Sequence, residues 1–360
     1  MAWHSTAVRS RSRRRILSIV AVIVGVALMG MAAAVSATVM HANAMHRIDQ
    51  TQSVSSRHNA RRSSSPATSA RARQPQSKST PLNTANPQEL VKRGRQQTLD
   101  SLSNQLQQKI SGYDGHWQVC VEDLPTGAAI SINNHQQYSA SVIKLMVMLA
   151  VFQRIHDGTF PDTAEVDHLL TQMITVSSNE ATNTLVDELG GGDTQAGYDT
   201  VNTIAKQYGF AQSHLNQRMG DLTGNTGKQT SMDDQGPFLA AACRGQLVSA
   251  QYSQRMIDLM LGQQRRSKIP AGLPSKISVA NKTGESPGVE NDSAMVFASN
   301  EGQHIIGSQP GRGDYVIAVM SEDINSSSTA QANIRDISAS TWAAVANHNN
   351  NVDVMDFLLS

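Results

Sequence analysis

Between residues 99 and 346 the chain carries strand-type patterns at both ends and helix-type patterns in the middle, and this distribution limits the fold more than any other feature. At the start, Trp117-Gln-Val-Cys-Val-Glu-Asp123 reads as a strand, Pro125-Thr-Gly127 as a turn, and Ala128–Ile132 as the returning strand of a hairpin. At the far end, Ile277–Asn281, Ser293–Ala298 and Tyr315–Met320 are short apolar runs of strand length. The middle has helical spacing over Val142–Ile155, Val166–Met173, Glu180–Leu189, Tyr198–Tyr208, Met232–Cys243 and Ser253–Leu261, punctuated by glycines such as Gly190-Gly-Gly192. A helix over Leu99–Ile110 leads in and another over Ala330–Ala346 closes the domain. Strands from both ends must share one sheet, with the helices inserted as a lobe, which predicts an α+β sandwich of the α/β class. No internal repeat is visible.

The first hundred residues have a different character. Residues 1–15 form a basic tail with Arg9, Arg11, Arg13, Arg14 and Arg15, and residues 16–40 are almost uncharged. A basic flank before an apolar run of roughly 20 residues predicts a transmembrane signal-anchor with the folded domain outside the cytoplasm. Ala42-Asn-Ala44 resembles a signal-peptidase site, which would make the chain secreted, but the run exceeds the roughly 7–15 apolar residues of a cleaved signal. Ser12-Arg-Arg14 before Arg15-Ile-Leu17 is read either as a twin-arginine export signal or as charge that fixes topology. Residues 41–98, rich in Ser, Arg, Gln and Pro, are expected to be a disordered linker, since they carry too little apolar surface to offset chain entropy. The linker's basic residues could touch anionic wall polymer or lipid headgroups, or simply be solvated. Residues 347–360 are expected to be a tail. The net charge of +1 points away from a nucleic-acid partner, and a monomer is expected. Cys120 and Cys243, the only cysteines, are either a pair formed after export or two small buried hydrophobes.

Three short motifs inside the domain carry chemistry. In Ser141-Val-Ile-Lys144 the helical spacing puts a hydroxyl and an amine on one face, where a partly desolvated lysine can help remove the serine proton. Ser177-Ser-Asn179 follows, and then Lys282-Thr-Gly284 at the end of an alternating apolar run. The first motif alone is weak evidence; the three in this order point to covalent acyl transfer. Bland readings exist for each: a helix start for Ser141 and Lys144, a helix cap for Ser177 and Asn179, a solvated strand end for Lys282 and Thr283.

The motifs, their order and their flanks resemble the class A β-lactamase and penicillin-binding superfamily. The flanks are Met173–Val186 followed by Gly190-Gly191, Pro270-Ala-Gly-Leu-Pro274, and Ala280-Asn-Lys-Thr-Gly284. The resemblance implies a five-stranded antiparallel sheet flanked by helices beside an all-helical lobe, with the site in the groove between them. It implies Ser141 as nucleophile, Lys144 as its activating amine, Ser177 as proton relay to the leaving nitrogen, and Asn179 as a group holding the lysine and the substrate amide. Lys282, Thr283 and Gly284 would bind substrate, the first two through its carboxylate. The backbone N–H groups of Ser141 and Glu285 would form the oxyanion hole.

One departure stands out. Class A β-lactamases carry Arg-x-Glu-x-x-x-Asn, whose glutamate activates the deacylating water; here the stretch is Arg218-Met-Gly-Asp-Leu-Thr-Gly-Asn225. Gly220 takes the place of the glutamate, and Asp221, one position on, is the candidate substitute base or a plain turn residue. Three functions are therefore expected in competition: a slowly deacylating β-lactamase-like hydrolase acting on β-lactams, a D-alanyl-D-alanine peptidase acting on peptidoglycan stem peptide, and a penicillin-recognising module that does not turn over. No cofactor is implied, and His116, His135, His156, His168, His214 and His304 show no metal-ligand spacing.

Overall fold

The structure, a computed structural model, describes residues 86–224, 226–298 and 310–346. The expected basic tail, the membrane segment at 16–40, most of the linker and the tail at 347–360 lie outside the described residues. Among the described residues no helix is long and apolar enough to cross a membrane.

Helix α1 runs over Pro87–Ile110, starting at Pro87 rather than Leu99, so the last part of the expected linker is helical. Asn86 caps it by accepting from the Gln88 N–H, and Pro87 sits at the first turn. Only Leu99, Leu102, Leu106 and Ile110 are buried, so its first half has no apolar stripe for a pattern-based reading to find. Strands β1 (His116–Asp123) and β2 (Ala128–Ile132) form the predicted hairpin. At the C-terminal end β6 (Ser278–Ser286), β7 (Val289–Phe297) and β8 (Tyr315–Glu322) complete one antiparallel sheet in the order β2-β1-β8-β7-β6. β6 is thus an edge strand, and β8 lies between the two ends of the domain.

One sheet face is covered by α1 and α8 (Ser327–Val345), where Leu102, Leu106, Val119, Ile317, Ile334 and Ile337 pack together. The other face meets the inserted helices α2 (Lys144–His156), α3 (Ala164–Thr175), α4 (Asn179–Leu189), α5 (Thr194–Gln207), α6 (Met232–Cys243) and α7 (Ala250–Leu261). α2 is buried from Lys144 through Phe152 without a polar stripe, as a helix enclosed on all sides must be. A second sheet that the pattern did not predict, β3 (Gln137–Tyr138), β4 (His214–Leu215) and β5 (Lys228–Thr230), has strands too short to show alternation. Cys120 and Cys243 are both free and buried; burial pushes the Cys120 thiol up to about 12, which makes both inert packing groups.

Candidate active site

Ser141 lies in a 3₁₀ turn, Ala140–Ile143, that runs directly into α2, so Lys144 opens the helix. Ala140 before it has φ +45°, a left-handed conformation that costs a non-glycine residue about 1–2 kcal/mol. Gly284 on β6 explains how the turn can lie so near the sheet edge. A methyl group there would stand 2.9 Å from the Ser139 carbonyl oxygen and 3.1 Å from the Ser141 backbone nitrogen, so only glycine admits this approach. The first and third motifs are thereby brought into backbone contact.

Lys144 is fully buried and donates to the Ser177 carbonyl at 2.7 Å, the Ser177 hydroxyl at 3.2 Å and Asn179 Oδ1 at 2.8 Å. Burial, then the charge of Lys282, brings its pKa down to about 6. Its seat at a helix N-terminus, the positive end of the dipole, acts in the same direction. Ser177 has φ +62°, a second strained non-glycine position beside the site. From β6, Lys282 donates to the Ser177 hydroxyl at 3.0 Å and to the Thr283 carbonyl at 2.7 Å. Burial lowers Lys282 to about 7. The Ser177 oxygen therefore stands between two lysines, one from α2 and one from β6.

Helix α4 does more than supply Asn179. At the i, i+4, i+8 spacing of one helical face, Asn183 and Asp187 follow it and hold the loop that contains Gly220. Asn183 exchanges two hydrogen bonds with the backbone of Met219, at 2.9 and 3.1 Å, and Asp187 takes both arms of Arg218 at 3.0 Å. From the other side the buried Lys228 donates to Gln217 Oε1 at 2.7 Å, the Asp221 carbonyl at 2.8 Å and the Arg218 carbonyl at 3.2 Å. Gly220 has φ +91°, and a methyl group on it would lie 3.4 Å from Asn179 Nδ2, so this position does face the site. The Asp221 carboxylate instead accepts from the Thr223 hydroxyl at 2.7 Å and the Thr223 N–H at 2.9 Å, an Asx turn that holds its pKa below the usual range. Its contacts are those of a turn former, and none reaches Ser141 or Lys144. A pocket of about 250 Å³ opens beyond this loop, lined by Tyr138, Leu222, Gly224, Ser286, Pro287 and Val289 among others.

The face of β6 that carries Thr283 also carries a charge cluster that the sequence reading missed. Lys268, buried, lies 2.9 Å from Glu285 Oε1 and 2.6 Å from Glu290 Oε2, and donates to the Gly284 and Asn291 carbonyls. Arg265 reaches Glu285 Oε2 at 2.5 Å. Asp292, raised to about 6 by burial, accepts from Asn281 at 2.9 Å and from the Ile269 N–H at 3.0 Å. The available signal was Val289-Glu-Asn-Asp-Ser293, four polar residues near the start of a strand that is buried throughout and continues in apolar residues. Fully buried ionisable groups are rare unless paired. Among the described residues no group of three His, Cys, Asp or Glu is placed to hold a metal ion.

This fold and groove place the chain in the β-lactamase and penicillin-binding superfamily. The β-lactamase enzyme family model matches residues 101–166 and 160–345, and the chain belongs to that family. Among solved structures, PBP-A is 24% identical, with a TM-score of 0.58 over 68% of this chain and 95% of that one. A point mutant of PBP-A, as an acyl-enzyme complex with penicillin G, is likewise 24% identical, with a TM-score of 0.58 over 68% and 96%. The ancestral class A β-lactamase of Gram-negative bacteria is 21% identical, with a TM-score of 0.58 over 68% and 99%. These likenesses are of fold. No curated protein matches the chain.

Proposed function

We propose that the protein is a serine hydrolase of the β-lactamase type that forms an acyl-enzyme at Ser141 on a β-lactam or similar amide and releases it slowly. One observation carries this reading: the Ser177 hydroxyl is bracketed by Lys144 at 3.2 Å and Lys282 at 3.0 Å, at the head of the serine turn. With its pKa brought down to about 6, Lys144 is largely a free amine at neutral pH: its two N–H groups serve the Ser177 carbonyl and Asn179 Oδ1, the shorter contacts, and its lone pair can accept the Ser141 proton. The Ser141 oxygen then bonds to the carbonyl carbon, and the oxyanion is met by the backbone N–H groups of Ser141 and Glu285, the latter on an edge strand. The C–N bond breaks as the proton passes through Ser177 to the leaving nitrogen. Asn179 fixes the amine, and Lys282, Thr283 and Gly284 line the substrate along β6.

Slow release follows from the loop. Gly220 supplies no base where one would face the site, and the Asp221 carboxylate is held by Thr223. Absence of a general base costs about 10²–10⁴ in rate. The same feature supports the second reading, a D-alanyl-D-alanine peptidase or other wall-processing enzyme. The third, a module acylated once without turnover, is the limit of zero deacylation. The signal-anchor at 16–40 would place this chemistry on the outer face of the cell membrane. The readings separate by assay. Nitrocefin turnover supports the first, release of D-alanine from a stem-pentapeptide mimic the second, and a fluorescent penicillin retained for hours with neither activity the third. Absence of any adduct on Ser141 overturns all three.

A further inference from the structure

Resting on the acyl-enzyme reading above, we infer that the Glu285 side chain occupies the anion position beside Thr283, so that the site favours acyl donors whose group at that position is uncharged. Thr283 and Glu285 are two apart on β6 and so share a face of the strand. Their cross-strand partners Asp292 and Glu290 lie on that same face. Around Thr283 the structure assembles what an incoming carboxylate needs: the Thr283 hydroxyl and the cations Lys268, Arg265 and Lys282. Two of those cations, Lys268 and Arg265, are already engaged by a carboxylate. Each Glu285 oxygen has one of its own, Lys268 at 2.9 Å and Arg265 at 2.5 Å. The Thr283 hydroxyl is buried without a well-formed hydrogen bond, and Glu285 is the carboxylate near enough to feel it. Burial works to raise the Glu285 pKa, yet Lys268 and Arg265 outweigh it and hold the group below its usual range, hence ionised.

The local charge supports the same conclusion. With every group ionised, the three positive charges of Lys268, Arg265 and Lys282 are balanced by Glu285, Glu290 and Asp292, and with Lys282 lowered to about 7 no positive excess remains at neutral pH to attract an anion. A substrate carboxylate would have to displace Glu285 from two cations or lie against it, whereas an ester or a carboxamide meets no such opposition. Glu285 is then a specificity-determining residue through its side chain, separate from any part its backbone N–H takes in the oxyanion hole.

The test compares benzylpenicillin with its methyl ester, which share the reacting ring and differ in this one charge. Second-order rate constants for adduct formation on Ser141 are measured by intact mass. The wild-type chain is expected to react roughly tenfold faster with the ester, and Glu285→Gln to shift the ratio toward the free acid by roughly tenfold or more, the scale of one unit charge at close range. Because both probes are read on the same variant, any general loss in the oxyanion hole cancels. Glu285→Thr provides a second, smaller replacement if the glutamine variant fails to fold. A wild-type preference for the free acid, or a ratio unmoved in a folded variant, overturns the inference while Ser141 labelling stands. Absence of labelling by both probes overturns the Ser141 reading and the inference with it.

Discussion

The two walls of the groove are built on different physical terms. The motif wall is fixed by buried main chain and buried cations. Lys144 and Lys282 have no exposed surface, and Gly284 lets the serine turn approach an edge strand too closely for any other residue. The loop wall, residues 217–224 and 226–228, is tied by side chains: Arg218 to Asp187, Asn183 to Met219, and Lys228 to two carbonyls. The position that faces Asn179 there is a glycine. The motif wall is thus over-determined, while the loop holds its shape without presenting a carboxylate. Under the acyl-enzyme proposal, bond formation and acyl release are separable, and variants of the two walls should affect different steps.

The largest break should come from the motif wall. Lys144→Ala should slow adduct formation by about 10²–10⁴ with little effect on the lifetime of any adduct formed, measured by mass spectrometry under single-turnover conditions. The same amine sets a pH limb. Because its pKa lies near 6 and the unprotonated form accepts the proton, the acylation rate should fall as pH drops through about 6. Lys144 and Lys282 repel each other, so the limb belongs to the pair. A flat profile from about pH 5 to 8 would remove Lys144 from the role of base.

On the loop wall, Gly220→Glu sharpens the contrast. The new side chain starts 3.4 Å from Asn179 Nδ2, so adduct lifetime should shorten. At φ +91° the substitution should also cost about 1–2 kcal/mol, visible as a lower Tm. An unchanged lifetime in a folded variant would mean that a carboxylate here does not reach the acyl carbonyl. The smallest effect is expected from Arg218→Ala. The pair with Asp187 is half-exposed, so stability should fall by less than about 1 kcal/mol with acylation unchanged.

How much of this could be read from the chain depended on range. Helices and strands with clear patterns were legible: α4 spans Asn179–Leu189 against an expected Glu180–Leu189, and β2 spans Ala128–Ile132 as the pattern predicts. Each motif combines residue type with local spacing and so stands out in the chain; the structure brings Lys144, Ser177, Asn179 and Lys282 into contact and sets the Ser141 backbone against Gly284. The polar half of α1 was not, since a capped helix with an exposed face has no apolar period. Nor was the charge cluster: Arg265 and Lys268 precede β6, Glu285 lies one residue before its end and Glu290 opposite it on β7, so their meeting is a product of tertiary folding and strand register. Asp221 shows the opposite failure, a carboxylate at a suggestive position whose bonding is local to its turn.

The most direct test of covalent chemistry at Ser141 is time-resolved intact mass of the wild-type chain and Ser141→Ala, each exposed to benzylpenicillin methyl ester. The expected result is one adduct of the probe's mass on the wild-type chain, carried by the peptide containing Ser141, persisting for hours and absent from the alanine variant. An equal adduct on Ser141→Ala, or none on the wild-type chain, would contradict the account.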